Sequence, residues 1–373
     1  MTPKERVKAA LRHQEPDRVP MGENEIDAPI IEAVLGRPTY YGAKFRLMQA
    51  YLEGRRDEAV DSMKRDYIEF LRKTEHDIAK IMLVPDKDAE FYPLKQVSAE
   101  NYEDENGNVF RYSAETQELI HIRHGRGPVK LVSSRQEPGK LYEPSESELE
   151  FAKYVLDELG ETHFIIAPAW VGPPPMPHRG TSYFDAMLEA IIERPQIYRD
   201  QRVRAAQNIA RAAEYYKARG CNAVMGGEDL GHNKGTLMSP DCFRDILLPG
   251  LQAQVEQAHS KGMPFFFHSC GNNRAIWGYF AQSGLDAYQA IQDEEPLEGL
   301  KREVGHKLTL WGGTSCRLLD LGTPEQIREQ TRRSIQTAAS GGGFILGSSH
   351  SLGVGVKYDN YMAMLETWKQ CRP

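Results

Sequence analysis

Eight short apolar runs recur along the chain, nearly all separated by stretches of helical periodicity: Arg18–Gly22, Asp77–Val84, His163–Trp170, Asn222–Glu228, Pro264–His268, Ala287–Gln292, Lys307–Gly312 and Gly341–Gly347. Runs of this length with little polar alternation are how strands covered on both faces read. Between them lie helix signals. Thr2-Pro3-Lys4-Glu5 places an N-cap, a proline at the first helical position and a carboxylate in the first turn. A helical pattern fills Pro29–Lys73, another Ser145–Leu159, and a long one Ser182–Arg219. Ser239-Pro240 opens the next helix and Gly262 ends it, while Thr323-Pro-Glu-Gln326 starts a further one with a capping-box glutamine. Residues 89–125 differ in texture. They alternate, with Asn106-Gly107 between Tyr102 and Phe110-Arg-Tyr112, which signals an antiparallel hairpin inserted into the main fold. Eight strands alternating with helices predict an α/β fold of the (β/α)₈ TIM-barrel type, one domain over residues 1–373. An open doubly wound sheet would carry a glycine-rich phosphate loop after its first strand, and Met21-Gly-Glu-Asn is not one.

Composition narrows the function classes. The net charge is −7, from 46 basic and 53 acidic side chains dispersed along the chain, so no basic stripe is offered to nucleic acid or to an anionic membrane. The five cysteines have no framework spacing, which fits a reducing compartment. The amino-terminal residues carry charge without an apolar signal core, and no run approaches the ~18 apolar residues of a membrane span. A soluble cytoplasmic protein is the expectation. The proline-rich segment 172–177 is expected to be a loop on the active-site side.

In a barrel the chemistry gathers at the carboxyl ends of the strands. There the sequence puts Glu23, Trp170, Glu228 and Asp229, His268 and Cys270, Gln289 and Gln292, Cys316, and His350. His268 and Cys270 are two residues apart, on one face of an extended chain. Imidazole and thiolate are favoured zinc ligands, so His268, Cys270 and His350 can supply three ligands and leave the fourth place to water, substrate or Glu228. The plain alternative is a buried histidine beside a buried thiol. Cys316 reads as filler beneath a loop, and Trp170 as wall or substrate platform.

Several of these segments resemble the uroporphyrinogen decarboxylase superfamily: the opening Thr2–His13 with Glu15-Pro-Asp-Arg-Val-Pro20, Leu237-Met-Ser-Pro240, His268-Ser-Cys-Gly-Asn272, Gly322-Thr-Pro-Glu325 and Gly341–His350. The resemblance spans essentially the whole chain and implies a (β/α)₈ barrel. It extends to the branch of zinc-dependent methyltransferases that exchange methyl groups with a corrinoid (cobalamin), in which the His-x-Cys pair, here His268 and Cys270, ligates zinc. That branch takes its third ligand from a cysteine after the glycine-rich last strand, where this chain has His350. The decarboxylases carry an arginine-rich loop after the first strand, whereas Gly22–Asp27 is acidic here and would repel a polycarboxylate. The resemblance thus implies methyl transfer between a methyl ether or thiol and a corrinoid on a separate protein. Glu228 or Asp229 would handle the proton or give the fourth ligand, and Glu23, Trp170, Tyr183 and Gln289 would contact substrate. A metal-free decarboxylase or lyase is the alternative, followed by a non-catalytic corrinoid or tetrapyrrole binder. A homodimer is compatible with the sequence, though no interface is legible.

Overall fold

The computed structural model describes residues 1–129, 131–133, 140–172, 178–179 and 182–371; for 178–179 and 182–186 only the backbone is described. Seven parallel strands form one curled sheet in the order β1 (Ile78–Lys80), β2 (Phe164–Pro168), β3 (Ala223–Gly227), β4 (Phe265–His268), β5 (Ala287–Ile291), β6 (Thr309–Thr314) and β7 (Phe344–Ser348). Each strand lies next to its successor in sequence, as short connections favour. The first predicted strand, Arg18–Gly22, is shorter than expected. Met21 forms a single parallel bridge to Leu346. Gly22 N donates to Leu346 O (3.0 Å), Leu346 N to Pro20 O (2.8 Å) and Asp77 N to Met21 O (2.8 Å), so this segment links the two sheet edges. The result is TIM-barrel-like.

Inward residues explain the curl. Ile78, Phe164, Ile166, Ala223, Met225, Phe266, Ala287, Trp311 and Ile345 form one buried apolar cluster, and Val7 and Ala10 of helix α1 (Pro3–Leu11) complete it from below. Helix α1 starts where the sequence predicts: Thr2 Oγ1 accepts from Glu5 N and Glu5 Oε2 from Thr2 N. A larger cluster lies between the strands' outer faces and the surrounding helices.

Several elements differ from the sequence expectation. The helical stretch Ser182–Arg219 is three helices, Ser182–Glu193, Pro195–Ala205 and Gln207–Lys217, because Pro195 has no amide proton to continue the first and instead opens the second. The stretch Pro29–Lys73 likewise divides into Ala28–Leu35, Lys44–Leu52 and Arg56–Thr74, with glycines in left-handed conformation at Gly36 and Gly54. The hairpin belongs to a larger sheet of strands Lys95–Gln96, Asn101–Glu103, Val109–Ser113, Glu118–Arg123 and His178–Arg179, the last added in parallel. Tyr102 does pair with Phe110, and Gly107 takes φ +81° in the turn. Residues 173–177 of the proline-rich loop lie outside the described residues. Among the described residues no helix is long and apolar enough to cross a membrane.

Candidate functional site

Alternation along the strands decides which side chains reach the barrel mouth. Ile78 on β1, Ala287 on β5 and Phe266 on β4 belong to the interior cluster. The residues two further on, Lys80, Gln289 and His268, share their faces and stand one layer higher. Neighbouring strands contribute glycine at this level: Gly227 pairs with His268, and Gly347 with Gly313. Small residues there leave room for a cavity of about 830 Å³, lined by His268, His350, Trp170, Glu228, Lys80 and Tyr51 among others.

His268, Cys270 and His350 each present one ligand atom, all within 4.8 Å of one another. His268 Nε2 lies 3.1 Å from Cys270 Sγ, and the two imidazole rings meet edge to face at 5.4 Å. Zinc bonds of about 2.1–2.3 Å in a tetrahedron place ligand atoms ~3.5 Å apart; the donor set fits zinc in chemistry, and its 3.1 Å pair and 4.8 Å limit bracket that spacing. Gln289 fixes the ring: its Oε1 meets His268 Nδ1, leaving Nε2 for the cluster, while its Nε2 donates to the His350 carbonyl at 3.0 Å. One buried side chain therefore ties together two ligands from strands three apart in the sheet.

The loop bearing Cys270 is held from beneath. Asn273 Nδ2 donates to Cys270 O (3.0 Å), Tyr288 Oη to Ser269 O (3.3 Å), and both converge on Glu295, which also accepts from Trp277 Nε1 (2.5 Å). Burial pushes the Glu295 pKa up to about 7. Asp229 takes the Cys270 amide at 3.1 Å and stands 3.6 Å from His268 Nε2. Hydrogen bonds from His268 and Cys270 hold its carboxyl far below the ordinary range, against partial burial.

Glu228 is buried at the cavity wall in a two-point pair with Arg202 of helix Pro195–Ala205: Nη1 to Oε1 2.9 Å and Nη2 to Oε2 2.7 Å. Nothing in the sequence marked Arg202 among its neighbouring arginines. Glu23 sits behind the lining, taking hydrogen bonds from Ser348 N (3.0 Å) and Oγ; burial raises its pKa to about 8. Gln289 also stands behind the wall. Trp170 lies on the lining with 52% of its surface exposed. Cys316 donates its thiol to Ser351 O (3.4 Å), and burial raises its pKa to about 11. Tyr183 lies in helix Ser182–Glu193, but its side chain is outside the described part. Lys80 was not anticipated. The available signal was a single lysine embedded in the apolar run Ile78-Ala-Lys-Ile-Met-Leu.

A family model described as uroporphyrinogen decarboxylase (URO-D) matches residues 164–371, more than half of the chain. A methylated-thiol–coenzyme M methyltransferase of Methanosarcina mazei is 28% identical over 138 residues, covering 36% of this chain and 35% of that relative. The match thus spans about a third of the relative's length. A solved methyltransferase from Methanosarcina mazei superposes over 99% of both chains with a TM-score of 0.64 at 15% identity, a likeness of fold.

Proposed function

This chain belongs to the uroporphyrinogen decarboxylase family, and from that premise we propose that it is a zinc-dependent methyltransferase. In this reading one cytoplasmic domain moves a methyl group between a small methyl ether or thiol and a corrinoid carried by a partner protein. The supporting observation is the His268–Cys270–His350 cluster, its ligand atoms within 4.8 Å of one another, with both histidines on the wall of a cavity large enough for a small substrate. The likeness to a methylated-thiol methyltransferase supports the same class of reaction.

His268 Nε2, Cys270 Sγ and His350 would hold the metal and leave the fourth place to the substrate heteroatom. Zinc, when bound, supplies Lewis acidity, lowering the pKa of a thiol or making an alkoxide a better leaving group. The chain's own residues do the rest. Gln289 presents the correct nitrogen of His268. Asp229, kept ionised, holds the Cys270 loop through that residue's amide. Glu228 is the acid that faces the substrate, steadied by Arg202. Trp170 and the apolar wall flank the substrate's apolar body. Glu25 and Asp27 on the same wall disfavour a polycarboxylate such as a porphyrinogen.

Elemental analysis of protein purified without chelators is the test. The expected result is about one zinc per chain, lost in the His268→Ala, Cys270→Ala double variant, with methyl transfer to a corrinoid protein lost alongside. A wild-type protein that stays free of zinc after reconstitution would sink the proposal and favour a metal-free decarboxylase.

A further inference from the structure

Lys80 occupies, on β1, the same level of the barrel that His268 occupies on β4, each two residues past an interior apolar residue. The strands are three apart in the sheet, which at about 4.8 Å per strand separates the two Cα positions by roughly 14 Å around the curl. The two side chains therefore face one cavity from well-separated points on its rim, and both line it. The wall also carries apolar side chains, among them Tyr51, Met63, Ala167 and Met225.

The ammonium of Lys80 is poorly matched to its surroundings. Its Nζ donates to Asn24 Oδ1 at 2.5 Å, a neutral acceptor, and among the described residues it has no carboxylate within ion-pair distance. The other lysine on the wall, Lys44, is paired with Asp27 (2.9 Å) and Glu118 (3.3 Å). Glu228 is committed to Arg202. Glu25 lines the same wall and acts on Lys80 only at longer range. A lysine on a cavity wall whose side-chain partner is a neutral amide, with no counter-ion in contact, loses hydration that its own chain replaces only in part. Burial accordingly lowers its pKa, and an incoming anion would restore the charged form.

We propose that Lys80, oriented by Asn24, is an anchor for a substrate carboxylate, so that the cavity takes a small monoanionic acid with its apolar body along the wall and its reacting heteroatom at the His268–Cys270–His350 cluster. This rests on the reading above for the position of the heteroatom. A single ammonium with Glu25 on the same wall matches one negative charge better than the two of a phosphate dianion.

Calorimetric titration of the full chain with 4-methoxybenzoate, its primary amide and inorganic phosphate tests the anchor without any turnover. The acid is expected to bind at least about tenfold more tightly than the amide, and Lys80→Met to abolish that ratio while keeping amide binding. Lys80→Arg should retain most of the preference, and should Lys80→Met fail to fold, the ratio in Lys80→Gln decides. Equal binding of acid and amide, a preference that survives Lys80→Met, tighter binding of phosphate, or binding of none of the three overturns the proposal. Zinc is measured in the same samples. Acid preference without zinc keeps the anchor and removes the methyltransferase reading; zinc without acid preference does the reverse.

Discussion

His268 carries two nitrogens with separate tasks, and Gln289 assigns them. With Nδ1 engaged by the Gln289 carboxamide, Nε2 faces Cys270 and the cavity. Replacing Gln289 by leucine leaves the ring without an orienting partner and also frees the His350 carbonyl. We expect Gln289→Leu to weaken zinc binding ~10–100-fold with little change in secondary structure, as measured by competition with a chromophoric chelator; unchanged affinity would remove Gln289 from the support of the cluster. Legibility at this scale followed residue chemistry. His268 and Cys270 could be paired because alternation is local, and His350 because it follows a strand end. Arg202 was invisible because its partner, Glu228, is 26 residues away, and helical spacing does not say which arginine turns inward. Lys80 was readable in principle, since a lone charge inside an apolar run must either bend out or find a polar pocket.

Elements set how closely the strands carrying these residues approach. A Cβ built on Gly227 would lie 2.9 Å from the Cβ of His268, whereas one on Gly278, in helix Trp277–Ser283, meets nothing within 4 Å. The same substitution should therefore act in opposite directions. Gly227→Ala pushes β3 from β4 and is expected to cost about 1–3 kcal/mol and to lower zinc content, whereas Gly278→Ala should stabilise by about 0.5–1 kcal/mol. Urea titrations of the two variants, with metal analysis on each, check the contrast; a Gly227→Ala protein as stable and zinc-loaded as wild type would contradict the packing argument. The seven strands of the main sheet were legible because each run is short, apolar and bounded by helices. Helix continuity was less so, since periodicity persists across Pro195 although the backbone cannot. The added parallel strand His178–Arg179 was beyond reach, because pairing between distant short polar segments leaves no local pattern.

At the scale of the whole molecule, buried titratable groups shape stability against pH. Glu23 has its pKa raised by burial from 4.5 to about 8. It holds its proton in the folded protein more tightly than in the unfolded chain, so stability declines as pH climbs between those values. Buried His76 is displaced the other way, from 6.5 to about 3; the unfolded chain then takes up a proton first, and stability falls as pH drops below about 6.5. Glu23→Gln should remove part of the alkaline decline, gaining about 2 kcal/mol over wild type at pH 8.5 and close to nothing at pH 4, as read by denaturant melts at both values. An equal gap at the two pH values would contradict the assignment.

The barrel-like architecture was anticipated from strand count, but not that the first strand would shrink to one bridge at the seam, because hydrogen bonding to both edges substitutes there for length. That seam and helix α1 have a consequence for synthesis. The helix leaves the ribosome before every strand it packs against, and Met21 waits for Leu346, the residue it bridges. Until the last strand emerges, the apolar face of that helix is seated on the earlier strands alone. A nascent chain halted before residue 344 should therefore leave the face of Val7 and Ala10 only partly covered, and open to chaperones on the side of the missing strand.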